Sequence, residues 1–305
     1  MSLIFVMVDG VGLAPCASHN PVATGMPGLR SLLGAPLDDA LWIETPALHA
    51  VPIDATLGIA GLPQSGTGHT AIYGGFNAAA LNGRHQPSYP TAAMRDHLAR
   101  HNVFRVASEA GYRVAWANAY LPGYGQAVER RRLRHTAGTW GAMEAGLELR
   151  GLEHLLAGTA VSWDITQSMA RSRPGCGDLT LISPESAGER LVRLAATYDL
   201  VAFETYLPDL AGHGRIPYTP EEALAVVDGL LVGVAEARRP EDTLVVTSDH
   251  GNVEDARTHV HTRHPVPLVV LGPAAGVFAR VRAIDGVMEA IVEALRVSNE
   301  QHAYS

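Results

Sequence analysis

Cysteine is almost missing. Cys16 and Cys176 are the only two in 305 residues, and neither belongs to a C-x-x-C pair. A disulfide framework is therefore excluded as the source of stability, which suits a reducing compartment. Long hydrophobic runs are missing too. The N-terminal apolar stretch Leu3–Val8 is too short to cross a bilayer, and no basic flank of a secretory leader precedes it. The expectation is a cytoplasmic protein with no membrane partner. Positive charge is in deficit: the formal net charge is −8 and the sequence pI about 5.9. Such a chain gains nothing from a polyanionic backbone, so nucleic acid is not an expected partner. A local cationic site can still hold a small phosphorylated molecule. Internal repeats and low-complexity tracts are also absent.

What is present is a globular mixture, 47% hydrophobic and 18% charged, enough for a sizeable core. Continuous apolar runs recur: Leu3–Val8, Tyr112–Ala117, Leu200–Phe203, Leu244–Thr247 and Pro267–Leu271. Runs of this kind read as strands buried on both faces. Helical stretches precede several of them, at about Thr91–Ala110, Pro184–Thr197 and Pro220–Ala237, and another closes the chain at about Ile284–Val297. Strands alternating with helices predict an α/β fold, a doubly wound, mostly parallel sheet flanked by helices. The stretch from Leu121 to Pro184 breaks the pattern with an arginine run, a Gly/Ala-rich helical segment and a Pro/Gly-rich turn. It reads as a small lid, residues 121–184, inserted into a core of residues 1–120 and 185–305.

Chemistry gathers where strands end. Asp9 follows the first run, Asp209 and His213 follow the third, and Asp249-His250 follow the fourth. Ligands in open parallel sheets bind at the carboxyl ends of strands, so these five residues can meet on one edge. Each has a commoner role alone: a cap or turn for Asp9 and Asp249, a surface pair for Asp209 and His213. Carboxylates mixed with imidazoles suit transition metals. The loop His259-Val260-His261-Thr262-Arg263-His264 offers three more imidazoles, and the pattern alone does not choose among them. Ser65 lies in Gln64-Ser65-Gly66-Thr67-Gly68-His69 at the start of a helical stretch, where free N–H groups suit a phosphate. The glycines there are expected to leave room for it. The segment is not a Walker A loop, because no lysine follows its second glycine. Nor is Asp9–Pro15 a dinucleotide fingerprint, since Pro15 stands where a third small residue is needed.

These segments, taken in order, resemble the motifs of the alkaline-phosphatase superfamily. Val8-Asp9-Gly10-Val11-Gly12 resembles the opening D-G-x-G of the cofactor-independent phosphoglycerate mutases. The Ser65 segment is similar to their N-S-x-x-G-H and to the D-T-x-T-G-H of the phosphopentomutases. Asp209–His213 resembles D-x-x-G-H, Ser248–Asn252 resembles [AS]-D-H-G-N, and His261–Pro267 resembles H-T-x-x-x-V-P. The resemblance implies an alkaline-phosphatase-like core with two divalent ions, Mn2+ or Zn2+. One ion would be held by Asp209, His213 and His261, the other by Asp9, Asp249, His250 and the Ser65 oxygen. It implies that Ser65 is the nucleophile, forming a phosphoserine while a small phosphorylated metabolite is hydrolysed or isomerised. His69 and the cluster Arg130, Arg131, Arg132 and Arg134 are the expected substrate contacts. The short insertion differs from the large caps of the mutases, which keeps a phosphomonoesterase beside a phosphomutase. A phosphodiesterase, a sulfatase-type hydrolase and a non-catalytic metal-binding relative complete the alternatives; Ser65, Cys16 and Cys176 all lack the C/S-x-P-x-R setting of sulfatases.

Overall fold

Every residue of Leu3–Val8 is buried, because this run occupies the interior of a sheet covered on both faces. In the computed structural model, which describes residues 1–303 and side chains to Val297, seven strands form one sheet. They are β1 Leu3–Val8, β2 Ile43–Glu44, β3 Leu48–Ile53, β4 Val114–Trp116, β5 Leu200–Thr205, β6 Thr243–Thr247 and β7 Val266–Leu271. Their order is β2-β3-β7-β6-β1-β5-β4. β6, β1, β5 and β4 run parallel to their neighbours, whereas β7 is antiparallel to β6, β3 to β7 and β2 to β3. The sheet is thus a mixed one, a parallel block extended by three antiparallel pairings.

Alternation along β1 divides the core. Phe5 and Met7 join Tyr73, Phe104, Trp116, Met288 and Ile291 on one face, while Ile4, Val6 and Val8 join Leu191, Leu224, Val227 and Leu231 on the other. The first face is covered by helices Ser65–Gly74, Ala92–Arg100, Val103–Glu109 and Val287–Ala303, the second by Pro184–Ala195 and Pro220–Ala237. Burial on both sides is why the central strands are apolar throughout rather than alternating.

Several boundaries differ from the sequence expectation. The single helix over Thr91–Ala110 is two, because Asn102 interrupts it. Its Oδ1 accepts from Phe104 N and Arg105 N, capping the second helix, and its Nδ2 donates to Leu98 O at the end of the first. The final helix begins at Val287, after a 3-10 turn at Ile284–Gly286. The run at Tyr112–Ala117 pairs as a strand only over Val114–Trp116. β2 and β3 were not anticipated. β3 contains Pro52, which faces Pro267 of β7. Neither can donate to a ladder, so the two share a position where the antiparallel pattern requires no N–H.

Within residues 121–184, helix Ala137–Glu144 places Ala137 and Ala142 in the same apolar cluster as Phe104 and Trp116. Ala119, Leu155, Ala160, Cys176 and Leu179 form a small cluster of their own.

Candidate active site

The topology delivers the predicted residues to one edge. β1, β5 and β6 end there, and β7, running the other way, begins there. Asp9 follows β1, Asp209 lies on the short helix Leu207–Gly212 after β5, Asp249 and His250 follow β6, and His261 precedes β7. Gly10 adopts φ +82°, and a Cβ there would stand 2.8 Å from the Cα of Asp209. The turn that presents Asp9 can therefore press against Asp209 only as glycine.

Two ligand-sized groups result. Asp209, His213 and His261 form one, Asp9, Asp249 and His250 the other, each with its donor atoms within 4.8 Å of one another. In the first group, Asp209 Oδ1 is 3.3 Å from both His213 Nε2 and His261 Nε2. Those two nitrogens are 3.0 Å apart. Their Nδ1 atoms lie 2.7 Å from His259 O and 2.8 Å from Pro63 O. A carbonyl only accepts, so each Nδ1 carries the hydrogen and each Nε2 presents a lone pair. Two lone pairs and a carboxylate oxygen converging on one point repel unless a cation lies among them. In the second group, His250 Nε2 is 3.2 Å from Asp249 Oδ2 and 3.4 Å from Asp9 Oδ1. Both of those carboxylate oxygens are buried without a hydrogen-bond partner. The residues fit a pair of divalent ions on donor chemistry and on these orphaned atoms.

Electrostatics point the same way. Burial, then the charges of Asp249 and Asp209, push the Asp9 carboxyl well above its ordinary range. Without an ion, protonated His213 and His261 would hold Asp209 far below that range despite its burial, their positive charge standing where a cation fits. Asp249 is likewise lowered despite burial, by His250 and His69. Three carboxylates in so small a buried volume form a pocket for positive charge.

Ser65 is the first residue of helix Ser65–Gly74, whose start no side chain caps. Its Oγ is 3.0 Å from His250 Nε2. The two glycines after it do other work than expected. A Cβ on Gly66 would meet the carbonyl oxygens of Gln86 and Tyr89 at 2.6 and 2.8 Å, and one on Gly68 would meet the Cβ and O of Asp249 at 2.8 Å. They admit neighbouring backbone and bring the serine close to the ligands, rather than clearing space for a phosphate.

The remaining candidates separate cleanly. His69 is buried, with Nε2 3.1 Å from Asp9 Oδ2 and 3.2 Å from Asp249 Oδ2, and Nδ1 3.7 Å from Glu204 Oε2. Burial opposes its protonation, but Asp249 and Asp9 outweigh that and raise the ring well above the ordinary histidine range. Its Nε2 faces two carboxylates, whereas its Nδ1 has no hydrogen-bond partner. Of the loop histidines, His261 joins the ligand group, His259 Nδ1 bonds to Gly212 O, and His264 Nδ1 lies 3.1 Å from Glu254 Oε1. Among the arginines, Arg131 and Arg134 line cavities beside the site, whereas Arg130 and Arg132 are exposed outside them.

Three supporting residues escaped the sequence reading. Asn252 donates Nδ2 to Asp209 Oδ1 at 2.8 Å. Buried Glu254 accepts from Gly12 N and Asn252 N. Glu204, fully buried at the end of β5, accepts from Tyr73 and Thr136, and bonds with Tyr206. A glutamate closing an otherwise apolar strand was the available signal for Glu204. Asn252 lay inside a motif already noted.

The fold is one shared with the alkaline phosphatases. The alkaline phosphatase of a psychrophilic Shewanella superposes with a TM-score of 0.56 at 14% identity, covering 97% of this chain and 100% of that one. That of Thermus thermophilus gives 0.56 at 13% identity, over 97% and 91%. A family model of the metalloenzyme superfamily matches residues 1–294, and the chain belongs to that superfamily. Among curated proteins it is similar to the 2,3-bisphosphoglycerate-independent phosphoglycerate mutase of Ruegeria pomeroyi, 33% identical over 106 residues, covering 32% of this chain and 21% of that protein. It is also similar to the phosphopentomutase of Chromohalobacter salexigens, 38% identical over 95 residues, covering 31% and 21%. The matched stretch thus spans about a fifth of each relative's length.

Proposed function

We propose that the chain is a two-metal phosphoryl-transfer enzyme, a phosphomonoesterase or phosphomutase, that works through a phosphoserine at Ser65 on a small phosphorylated metabolite. The ions in this reading are Mn2+ or Zn2+, held by Asp209, His213 and His261 and by Asp9, Asp249, His250 and the Ser65 oxygen. Bound divalent ions would favour the ionised serine and neutralise charge on the phosphoryl oxygens. One observation carries the reading: the hydroxyl of Ser65 stands 3.0 Å from His250 Nε2 at an uncapped helix N-terminus, beside both ligand groups.

The roles of the chain's own residues follow. Ser65 Oγ attacks phosphorus, and the bond from phosphorus to the leaving oxygen breaks as the new one forms. The first turn of the Ser65–Gly74 helix offers the transferred group the N–H groups of Ser65 and Gly66 and its positive dipole end, Thr67 N and Gly68 N being bonded to backbone carbonyls. A water molecule, or a second hydroxyl of the substrate, then takes the phosphoryl group, and Oγ regains a hydrogen. His69 bonds to Asp9 and lies beside Asp249, and Asn252 fixes the orientation of Asp209. The reading includes a cytoplasmic setting without nucleic-acid or membrane partners. It is supported by the acidic net charge of −8, and no helix among the described residues is long and apolar enough to cross a membrane.

The test is phosphate release from a generic aryl phosphate by protein loaded with manganese or zinc, wild type against Ser65→Ala. Metal-dependent release that disappears in the variant is expected. Release that persists in Ser65→Ala would remove the serine from the reaction.

A further inference from the structure

A cavity of about 450 Å³ opens between β4, β5 and residues 121–136, lined by Tyr89, Tyr120, Tyr124, Trp163 and Tyr206. It approaches the candidate site at two places. The carbonyl of Tyr89 is one of those pressed against Gly66, next to Ser65. Tyr206 stacks over His69, with ring centroids 6.1 Å apart and planes within 11°. The aromatics come in pairs: Tyr120 and Tyr124 have centroids 4.6 Å apart, Trp163 and Tyr206 6.2 Å. All four are only partly buried, so their rings contribute to the open surface.

The polar ends of three of these residues, Tyr120, Tyr124 and Tyr206, are already committed. Tyr120 OH accepts from Trp116 Nε1 and bonds to Thr139 Oγ1, each at 2.7 Å. Tyr124 OH bonds to His135 Nδ1 at 2.8 Å, and Tyr206 OH bonds to Glu204. Asn118, on the floor, spends both ends of its amide on the backbone of Glu204. The cavity therefore offers ring faces and few free hydrogen-bonding groups. The polar groups left over are the Tyr89 hydroxyl, the Trp163 indole N–H and, at the rim, the exposed Arg134 and Arg173.

A polyhydroxylated sugar needs several partners in a site that desolvates it, and loses affinity where they are missing. A flat π-system needs faces, which this cavity supplies, and guanidinium planes can extend the stack. The volume lies in the range of sites that enclose a drug-sized ligand.

Resting on the phosphoryl-transfer reading above, we propose that this cavity is the leaving-group subsite and that it selects phosphomonoesters carrying an aromatic or heteroaromatic ring. A nucleoside 5′-monophosphate is the metabolite chemistry that combines the two parts. Ser65 takes the phosphoryl group and the ring-bearing alcohol departs with a proton into the aromatic cavity.

Two measurements on the full chain test this. The first compares kcat/KM of the manganese-loaded protein for phenyl phosphate, adenosine 5′-monophosphate, ribose 5-phosphate and 3-phosphoglycerate. The two ring substrates should exceed the other two by about tenfold or more, and Tyr124→Ala should remove about that factor for the ring substrates alone. Equal rates across the panel, or an equal loss on every substrate, would overturn the subsite. The second is calorimetric titration of Ser65→Ala protein with adenosine, which carries no phosphate. Binding that is lost in the Ser65→Ala, Tyr124→Ala double variant supports the cavity even if no phosphomonoester is turned over, a result that would count against the phosphoryl-transfer reading alone. No adenosine binding to a folded Ser65→Ala protein would overturn the subsite, whatever the rates.

Discussion

His213 and His261 turn their Nε2 atoms toward each other at 3.0 Å because backbone carbonyls hold the opposite nitrogens. This makes the two rings unequal to their neighbours in the same loop, although all are histidines. His261→Ala should lower bound metal by about one equivalent in elemental analysis, whereas His264→Ala should leave it near the wild-type value, since His264 pairs with Glu254. The reverse order would transfer the ligand role to His264. Ser65→Ala should retain metal while losing turnover by at least about 10³-fold. An alanine variant within a few-fold of wild type would exclude Ser65 as the nucleophile.

Elements set how closely these residues approach. Alanine normally stabilises a helix interior over glycine by about 1 kcal/mol. In the Ser65–Gly74 helix the sign should reverse at Gly68, where the added carbon would lie 2.8 Å from Asp249. Gly68→Ala should lower both the melting temperature and the metal content, and a gain in stability would show that the helix can shift away from Asp249. Asn102→Ala should cost about 1–2 kcal/mol in urea denaturation, the loss of a helix cap. The elements were unevenly legible in the sequence. β1, β5, β6 and β7 announced themselves because strands covered on both faces must be apolar throughout. β3 did not, because His49 and Pro52 break its apolar run, and only its pairing with β7 makes Pro52 acceptable. The break at Asn102 was hidden in a stretch with good helical residues on both sides. The gathering of Asp9, Asp209, Asp249 and His250 was legible because strand ends bring them to one edge, whereas His261 was singled out from its loop only by resemblance. The aromatic cavity was not, because Tyr89, Tyr120, Tyr124, Trp163 and Tyr206 lie far apart in sequence and share no period.

For the whole molecule, the cost of gathering Asp9, Asp209 and Asp249 should be visible as a dependence of stability on metal. Chelation should lower the melting temperature, and added manganese or zinc should restore it. At a free ion concentration a thousandfold above the dissociation constant, one site contributes about 4 kcal/mol. A melting curve unchanged by chelator would mean that the histidines alone balance the carboxylates.

β1 lies between β5 and β6, with Leu3 in register with Leu200 on one side and Thr243 on the other. Both partners are encoded about 200 or more residues later. On a ribosome adding about 5–20 residues per second, Leu3–Val8 must wait about 10–40 s for its first sheet neighbour. For that interval the most apolar strand of the nascent chain has nothing of its own sheet to pair with. Asp9, attached to its end, meets Asp249 and His250 only after β6 has been translated, and the other group is complete only once His261 has followed. Capture of both ions is thereby deferred until His261 has been translated, and the protein's yield in the cell should respond to chaperone supply before it responds to metal supply.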